Sequence, residues 1–147
     1  MPGYSTSGYW YRSGPQEFGT PAITTTGNAV AIGDAIMSSS GALLVLTAGN
    51  KPIGVSLEAK ASSPTTAIKY IKALPGRTKW VGTAKSGTVA AADKHTLLDM
   101  VGTTGAMGIA ADTSSNDDFF VDEILSTGSS GQVVLYFADS ATLNATN

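Results

Sequence analysis

From Ala29 onward, short apolar or β-branched runs alternate with clusters of Gly, Ser, Thr, Asn and Asp. This recurrence limits the chain more than any other feature. Runs of that length suit strands, whose side chains repeat with period two, and are too short to carry the 3.6-residue repeat of a long helix. The runs lie at 29–32, 35–37, 42–47, 53–57, 67–73, 78–84, 97–101, 107–110, 119–125 and 132–138. Gly33-Asp34 and Gly49-Asn50 punctuate them, and Ser38-Ser39-Ser40-Gly41 reads as a turn that Gly41 closes at positive φ. The expected class is all-β: a small β-barrel or β-sandwich of about nine or ten short strands. A short helix fits within 89–100, where Ala90-Ala91-Ala92 favours it locally. In 132–138, Val133, Leu135 and Phe137 alternate with Val134, Tyr136 and Ala138, so both faces of that strand are expected to be covered.

At 147 residues the chain fits one domain able to bury a core. Charged residues make up only 14% of it, and Gly, Ser and Thr cover much of the remaining surface. The expected layout is an extended N-terminal arm at 1–22, a barrel domain at 23–140 and a tail at 141–147. Gly, Ser and Pro break every period in the arm, yet five of the eleven aromatics fall there: Tyr4, Tyr9, Trp10, Tyr11 and Phe18. Solvated tails are poor in such side chains, so these aromatics and Arg12 are candidate contacts to a partner. On this reading, deleting 1–18 leaves the domain folded and weakens attachment. Gly54-Val55-Ser56-Leu57 is faintly echoed by Gly108-Ile109-Ala110-Ala111 about fifty residues later.

Charge is segregated along the sequence although the net charge is only -2. Residues 51–94 carry eight cations against Glu58 and Asp93, whereas 95–147 carry seven acids and no Lys or Arg. A basic half and an acidic half suit a head-to-tail contact between copies. The candidate self-association charges are Lys69, Lys72, Arg77 and Lys79 against Asp117, Asp118, Asp122 and Glu123. Reversing Lys69 and Lys79 is then expected to impair self-association at low salt.

Signatures of chemistry are sparse. Without cysteine there is no disulfide, thiolate ligand or thiol nucleophile. His95 is the single histidine, and no G-x-S-x-G or S-x-x-K sequence supports a serine nucleophile, so no catalytic residue is assigned. Gly102, Gly105 and Gly108 lack the Lys-Ser/Thr of a phosphate loop and read as turn glycines. The stretch 112–123 places oxygen ligands at calcium-loop spacing, but Asp117 stands where that loop needs Gly. It reads as an acidic turn, and no metal or cofactor is expected. Nucleic acid is not an expected partner, because the aromatic arm carries one cation and the central lysines are scattered. No run of about 18 apolar residues and no secretion signal occurs, so synthesis in the cytoplasm without membrane insertion is expected, and Asn144-Ala145-Thr146 is read as polar tail.

Three stretches, GDAIMSSSGALLVLTAGNKPIGVSLEA at 33–59, SGTVAAADKHTLLDMVGTTGAMGIAADTSSNDDFFVDEIL at 86–125 and GQVVLYFA at 131–138, resemble the decoration, or cement, proteins of tailed-bacteriophage heads. The likeness covers roughly 23–138 and rests on short motifs; the arm has no counterpart. It implies a small barrel that sits on the outer capsid surface of the virion, binds the major capsid protein and stabilises the shell by bridging its subunits. It also implies a homo-oligomer, with a trimer favoured. Two other readings fit the composition: a glycan- or ligand-binding β-barrel, whose aromatics would line a pocket on the domain, and a tail or neck component of a virion.

Overall fold

The computed structural model describes residues 7–19, 22–23, 29–39, 42–61 and 67–138, with side chains for all of these but 22, 23 and 39. The fold is all-β. Among these residues the strands are β1 (Trp10–Ser13), β2 (Ala22–Ile23), β3 (Ala35–Ser39), β4 (Ala42–Val45), β5 (Gly54–Ser56), β6 (Ala67–Ile68), β7 (Tyr70–Lys72), β8 (Lys79–Ser86), β9 (Leu97–Val101), β10 (Gly108–Ala110), β11 (Phe119–Ile124) and β12 (Gln132–Phe137).

Five of them close into a barrel. β10 runs parallel to β8, then β9, β11 and β12 follow antiparallel, and β12 returns to β8 through Val133↔Gly82, Val134↔Val81 and Leu135↔Trp80. The Ala84 amide donates to Gly131 on the β12 side, so the alternating backbone of β8 turns Thr83 and Lys85 toward β10. The two neighbours of β8 therefore occupy opposite edges, which is the condition for closure, and closure leaves the ring without a free edge. Trp80, Leu135, Val121, Phe119 and Phe137 fill the interior at 1% exposure or less. On the outer face of the same strands Val81 and Val134 are also buried, while Lys79 and Tyr136 stay half-exposed. Both faces of β12 are thus covered, in part by long side chains of its own sheet.

A second sheet, ordered β4-β3-β5-β7, lies beside the barrel. Its row Ala35, Val55 and Ile71 joins the barrel core, whereas Ile36 and Leu43 on the other face join Val30 and Ile68 in a smaller cluster. Burial on both faces explains why 35–37 and 42–47 read as continuous apolar runs rather than alternating ones. Gly54 is required inside this sheet: a Cβ there would stand 2.6 Å from Cδ2 of the Tyr70 ring and collide with the Ile71 carbonyl.

Three local expectations change. Residues 29–32 do not form a strand: Val30 bridges Lys60, and the chain then turns at Ile32-Gly33 with Gly33 at φ 91°. The run 67–73 divides at Lys69 into β6, which pairs with β2, and β7, which pairs with β5. The helix expected within 89–100 shrinks to one 3-10 turn at Ala91–Asp93, because Leu97–Val101 is taken into the barrel. The echo of Gly54–Leu57 at 108–111 does not extend to pairing, since β5 lies between β3 and β7 but β10 lies between β9 and β8. The turn at 40–41 and the tail at 141–147 fall outside the described residues.

The largest correction concerns the arm. Residues 9–19 are part of the fold: β1 pairs with the first half of β8, the Tyr9 amide donates to Gly33, and Glu17 and Gly19 bond to β7. Tyr9 is 1% exposed, with its ring 5.2 Å from those of Phe119 and Phe137 and its hydroxyl donating to the Gly108 carbonyl at 2.7 Å. An aromatic-rich segment signals a surface to cover, and here that surface is the seam between the chain's own barrel and sheet.

Candidate attachment surface

The seam is held by two carboxylates placed reciprocally. Asp34, at the start of β3, accepts from Ala31 at 2.8 Å and from Gly105, in the β9–β10 turn of the barrel, at 3.0 Å. Asp118, at the start of β11, accepts from Met100 at 2.9 Å and from Gly49, in the β4–β5 turn of the sheet, at 3.0 Å. Each half thus inserts a buried acid into a turn of the other. Burial pushes both carboxyl groups up from the usual range, against the pull of the amides they accept. Burial, with the neighbouring Asp118 and Asp34 charges, raises the Tyr9 hydroxyl well above its ordinary value.

Asp99 behaves in the opposite sense. It stands in β9 at 3% exposure, and the loop 113–117 wraps its carboxylate. Oδ1 accepts from the amides of Asn116 and Asp117, and Oδ2 from the Thr113 hydroxyl and from the amide and hydroxyl of Ser115, all at 2.8–3.0 Å. Burial raises its pKa, but these bonds together outweigh burial and hold the carboxyl below the usual range. The loop read from sequence as a failed calcium site is therefore a nest of donors around an internal anion. Asp117 takes φ 55°, so an Asp occupies the left-handed position that a calcium loop gives to Gly. Among the described residues no group of three or more His, Asp or Glu is placed to hold a metal ion.

The two kinds of acid make stability depend on pH in opposite directions. Asp34 and Asp118, raised in the fold, disfavour folding while charged, so stability grows as pH falls from neutrality through their folded values. Asp99, lowered in the fold, contributes above the ordinary carboxylate range and loses that contribution as pH falls through its folded value. The expected thermal midpoint rises as pH falls from neutrality toward the ordinary carboxylate range, about pH 4, and drops below it. A midpoint that falls steadily from pH 7 downward would contradict this assignment.

The expected contact residues are dispersed. Tyr4 lies outside the described residues. Tyr9 is internal, and Trp10 and Tyr11 are half-buried and tied locally, through the Trp10 indole to the Ser7 carbonyl at 2.7 Å and the Tyr11 hydroxyl to the Gly14 carbonyl at 2.6 Å. Arg12 is exposed. Phe18 stays outward at 63% exposure, the largest among the exposed apolar side chains Ile32, Leu57 and Leu125.

The charge halves do not form two ends. Lys79 Nζ meets Asp122 Oδ2 at 3.0 Å and lies 5.6 Å from the centre of the Tyr136 ring, and Asp118 is internal. Barrel closure sets basic β8 directly beside β12, with acidic β11 next, so segregation in sequence becomes adjacency in space. Lys69, Lys72, Arg77 and Glu123 remain exposed, and Asp117 is half-buried.

The other chemical candidates resolve into structure. His95, at φ 65°, stacks on Phe120 with ring centres 6.0 Å apart. Gly102 and Gly105 take positive φ, and Gly105 donates to Asp34. A depression of about 250 Å³ lies between Asp93 and Asp112, smaller than the usual ligand pocket of roughly 300–1,000 Å³. Both carboxylates already accept local bonds, from the Ala90 amide and the Ser86 hydroxyl. The Asp99 nest was missed from sequence, although an acid inside the apolar run LLDMV was a visible signal.

No family model, no curated protein and no solved structure matches this chain.

Proposed function

We propose that this protein is a structural component of a tailed-bacteriophage virion, a decoration protein on the outer capsid surface that stabilises the shell by bridging major capsid protein subunits. The observation that carries the reading is the form of the N-terminal segment. It stitches barrel to sheet and leaves Phe18 outward on a fixed strand edge, a rigid apolar contact for another subunit of an assembly, with little ordering entropy left to lose on binding. The resemblance of 33–59, 86–125 and 131–138 to decoration proteins names the partner. The mechanism is mechanical: a contact made only on the assembled shell stabilises that shell by mass action.

Co-sedimentation with expanded phage heads stripped of their own decoration protein tests the proposal. Saturable binding, with heads that resist heat or chelation longer when loaded, is expected. Failure to bind at micromolar protein while the chain is folded would overturn it, and a glycan screen would then follow.

A further inference from the structure

Residues 17–19 add a short strand to the outer edge of β7. The Glu17 carbonyl accepts from the Lys72 amide at 2.7 Å, and the Gly19 amide donates to the Tyr70 carbonyl at 3.0 Å. Phe18 stands between them, opposite Ile71 in an antiparallel bridge. Since residues on either side of it bond to β7, its own N–H and C=O point to the opposite edge. Directly opposed residues share a sheet face, so Phe18 continues the row Ala35, Val55 and Ile71. Exposure along that row runs 0%, 2%, 4% and then 63%. Sheet edges are normally blunted by charge, Pro or a covering element, and here a large apolar side chain ends the row.

We propose that this edge is a self-association site, where a second copy of the chain pairs antiparallel across a twofold axis that relates Phe18 to its counterpart. The edge is self-complementary. One residue presents both a donor and an acceptor outward, so two copies exchange N–H to O=C bonds in both directions and close the ring of a hydrogen-bonded antiparallel pair. The two rings meet on the core face and extend the apolar row of each sheet into that of the other. Glu17 falls opposite Gly19 of the other copy, where the Tyr70 ring of that copy takes the place of a Gly19 side chain: a Cβ at Gly19 would collide with Tyr70 Cζ. On that outer face the register sets Glu17 opposite Lys72 of its own chain, a cation beside the two carboxylates that the twofold brings near each other. The contact forms pairs, so a threefold ring would need a different surface, and it is independent of whether the protein binds phage heads.

The absence of native cysteine makes the test direct. In a hydrogen-bonded antiparallel pair the facing Cα atoms lie about 5.5 Å apart, inside the roughly 4.4–6.8 Å that a disulfide spans. Phe18→Cys is expected to give a covalent dimer on mild oxidation about tenfold faster than Ile32→Cys, a control of comparable exposure at 52% against 63%. Sedimentation should show the wild-type chain as a dimer and Phe18→Asp as a folded monomer, whose unfolding midpoint matches that of the wild-type chain diluted until its dimer dissociates. A monomeric wild-type chain, an oligomer indifferent to Phe18→Asp, or cross-linking of Phe18→Cys no faster than the control would each overturn the proposal.

Discussion

Asp99→Asn is expected to lower the stability of the chain by about 2 kcal/mol, although it changes one oxygen to one amide nitrogen. The carboxylate accepts from five donors, two on Oδ1 and three on Oδ2, at 3% exposure. An Asn oxygen serves one of these sets, and its NH₂ group then faces the other. If the NH₂ replaces Oδ1, the amides of Asn116 and Asp117 lose their acceptor; if it replaces Oδ2, the Ser115 amide does. A hydrogen bond to a charged acceptor contributes about 1.5–3 kcal/mol, and the lower end applies here because Thr113, Ser115 and Asn116 are exposed and their freed donors can meet water. The urea midpoint should fall with the slope unchanged. Ser115→Ala, which removes one hydroxyl donor and leaves the carboxylate, should cost about 1 kcal/mol or less. Equal midpoints for Asp99→Asn and wild type would show that the loop is held by something else.

Tyr9→Ala is expected to cost about 3–5 kcal/mol, the range for removing a buried aromatic from a core that cannot collapse around the gap. That is a large share of the roughly 5–15 kcal/mol that holds an ordinary domain together. The ring touches Phe119 and Phe137 and closes the seam between barrel and sheet, where neither half can move in without breaking the Asp34 and Asp118 bonds. Tyr9→Phe keeps the ring, loses the bond to the Gly108 carbonyl and should cost only about 1 kcal/mol. Chemical denaturation followed by tryptophan fluorescence measures both, since Trp80 lies in the same core. A Tyr9→Ala chain as stable as wild type would return the segment to the status of a loose arm. The same burial reverses the expectation for deleting 1–18: the truncated chain should lose folding and not merely attachment.

These two side chains mark where reading the sequence succeeded and where it stopped. The strands at 35–39, 42–45, 54–56, 79–86, 97–101, 119–124 and 132–137 were legible, because their signals are local: period-two alternation, β-branched composition and turn residues at each end. β1 was not, since its sequence WYRS lies among Gly, Ser and Pro and becomes a strand by pairing with β8 some seventy residues away. Tyr9 was legible as an aromatic that needed a surface, but the surface it found is internal and contributed in part by Gly108, 99 positions on. Asp117 and Asp118 were singled out as surface charge, and Asp118 is instead buried and accepts the amides of Met100 and Gly49.

The sequence by itself determined that this chain is built of short strands joined by tight turns, that it holds no sulfur chemistry of cysteine, and that its apolar residues suffice for a core. Those properties depend on neighbours a few positions apart or on composition alone. Tertiary structure decided the rest: that β8 joins β10 and β12 to close the barrel, that the N-terminal segment is a seam rather than an arm, that Lys79 and Asp122 of opposite charge halves sit together, and that Phe18 remains outside. Each of these turns on which strand edges meet. Edge pairing uses the backbone, which is the same in every residue but proline, so the partner is chosen by global closure and burial and leaves no mark at either position.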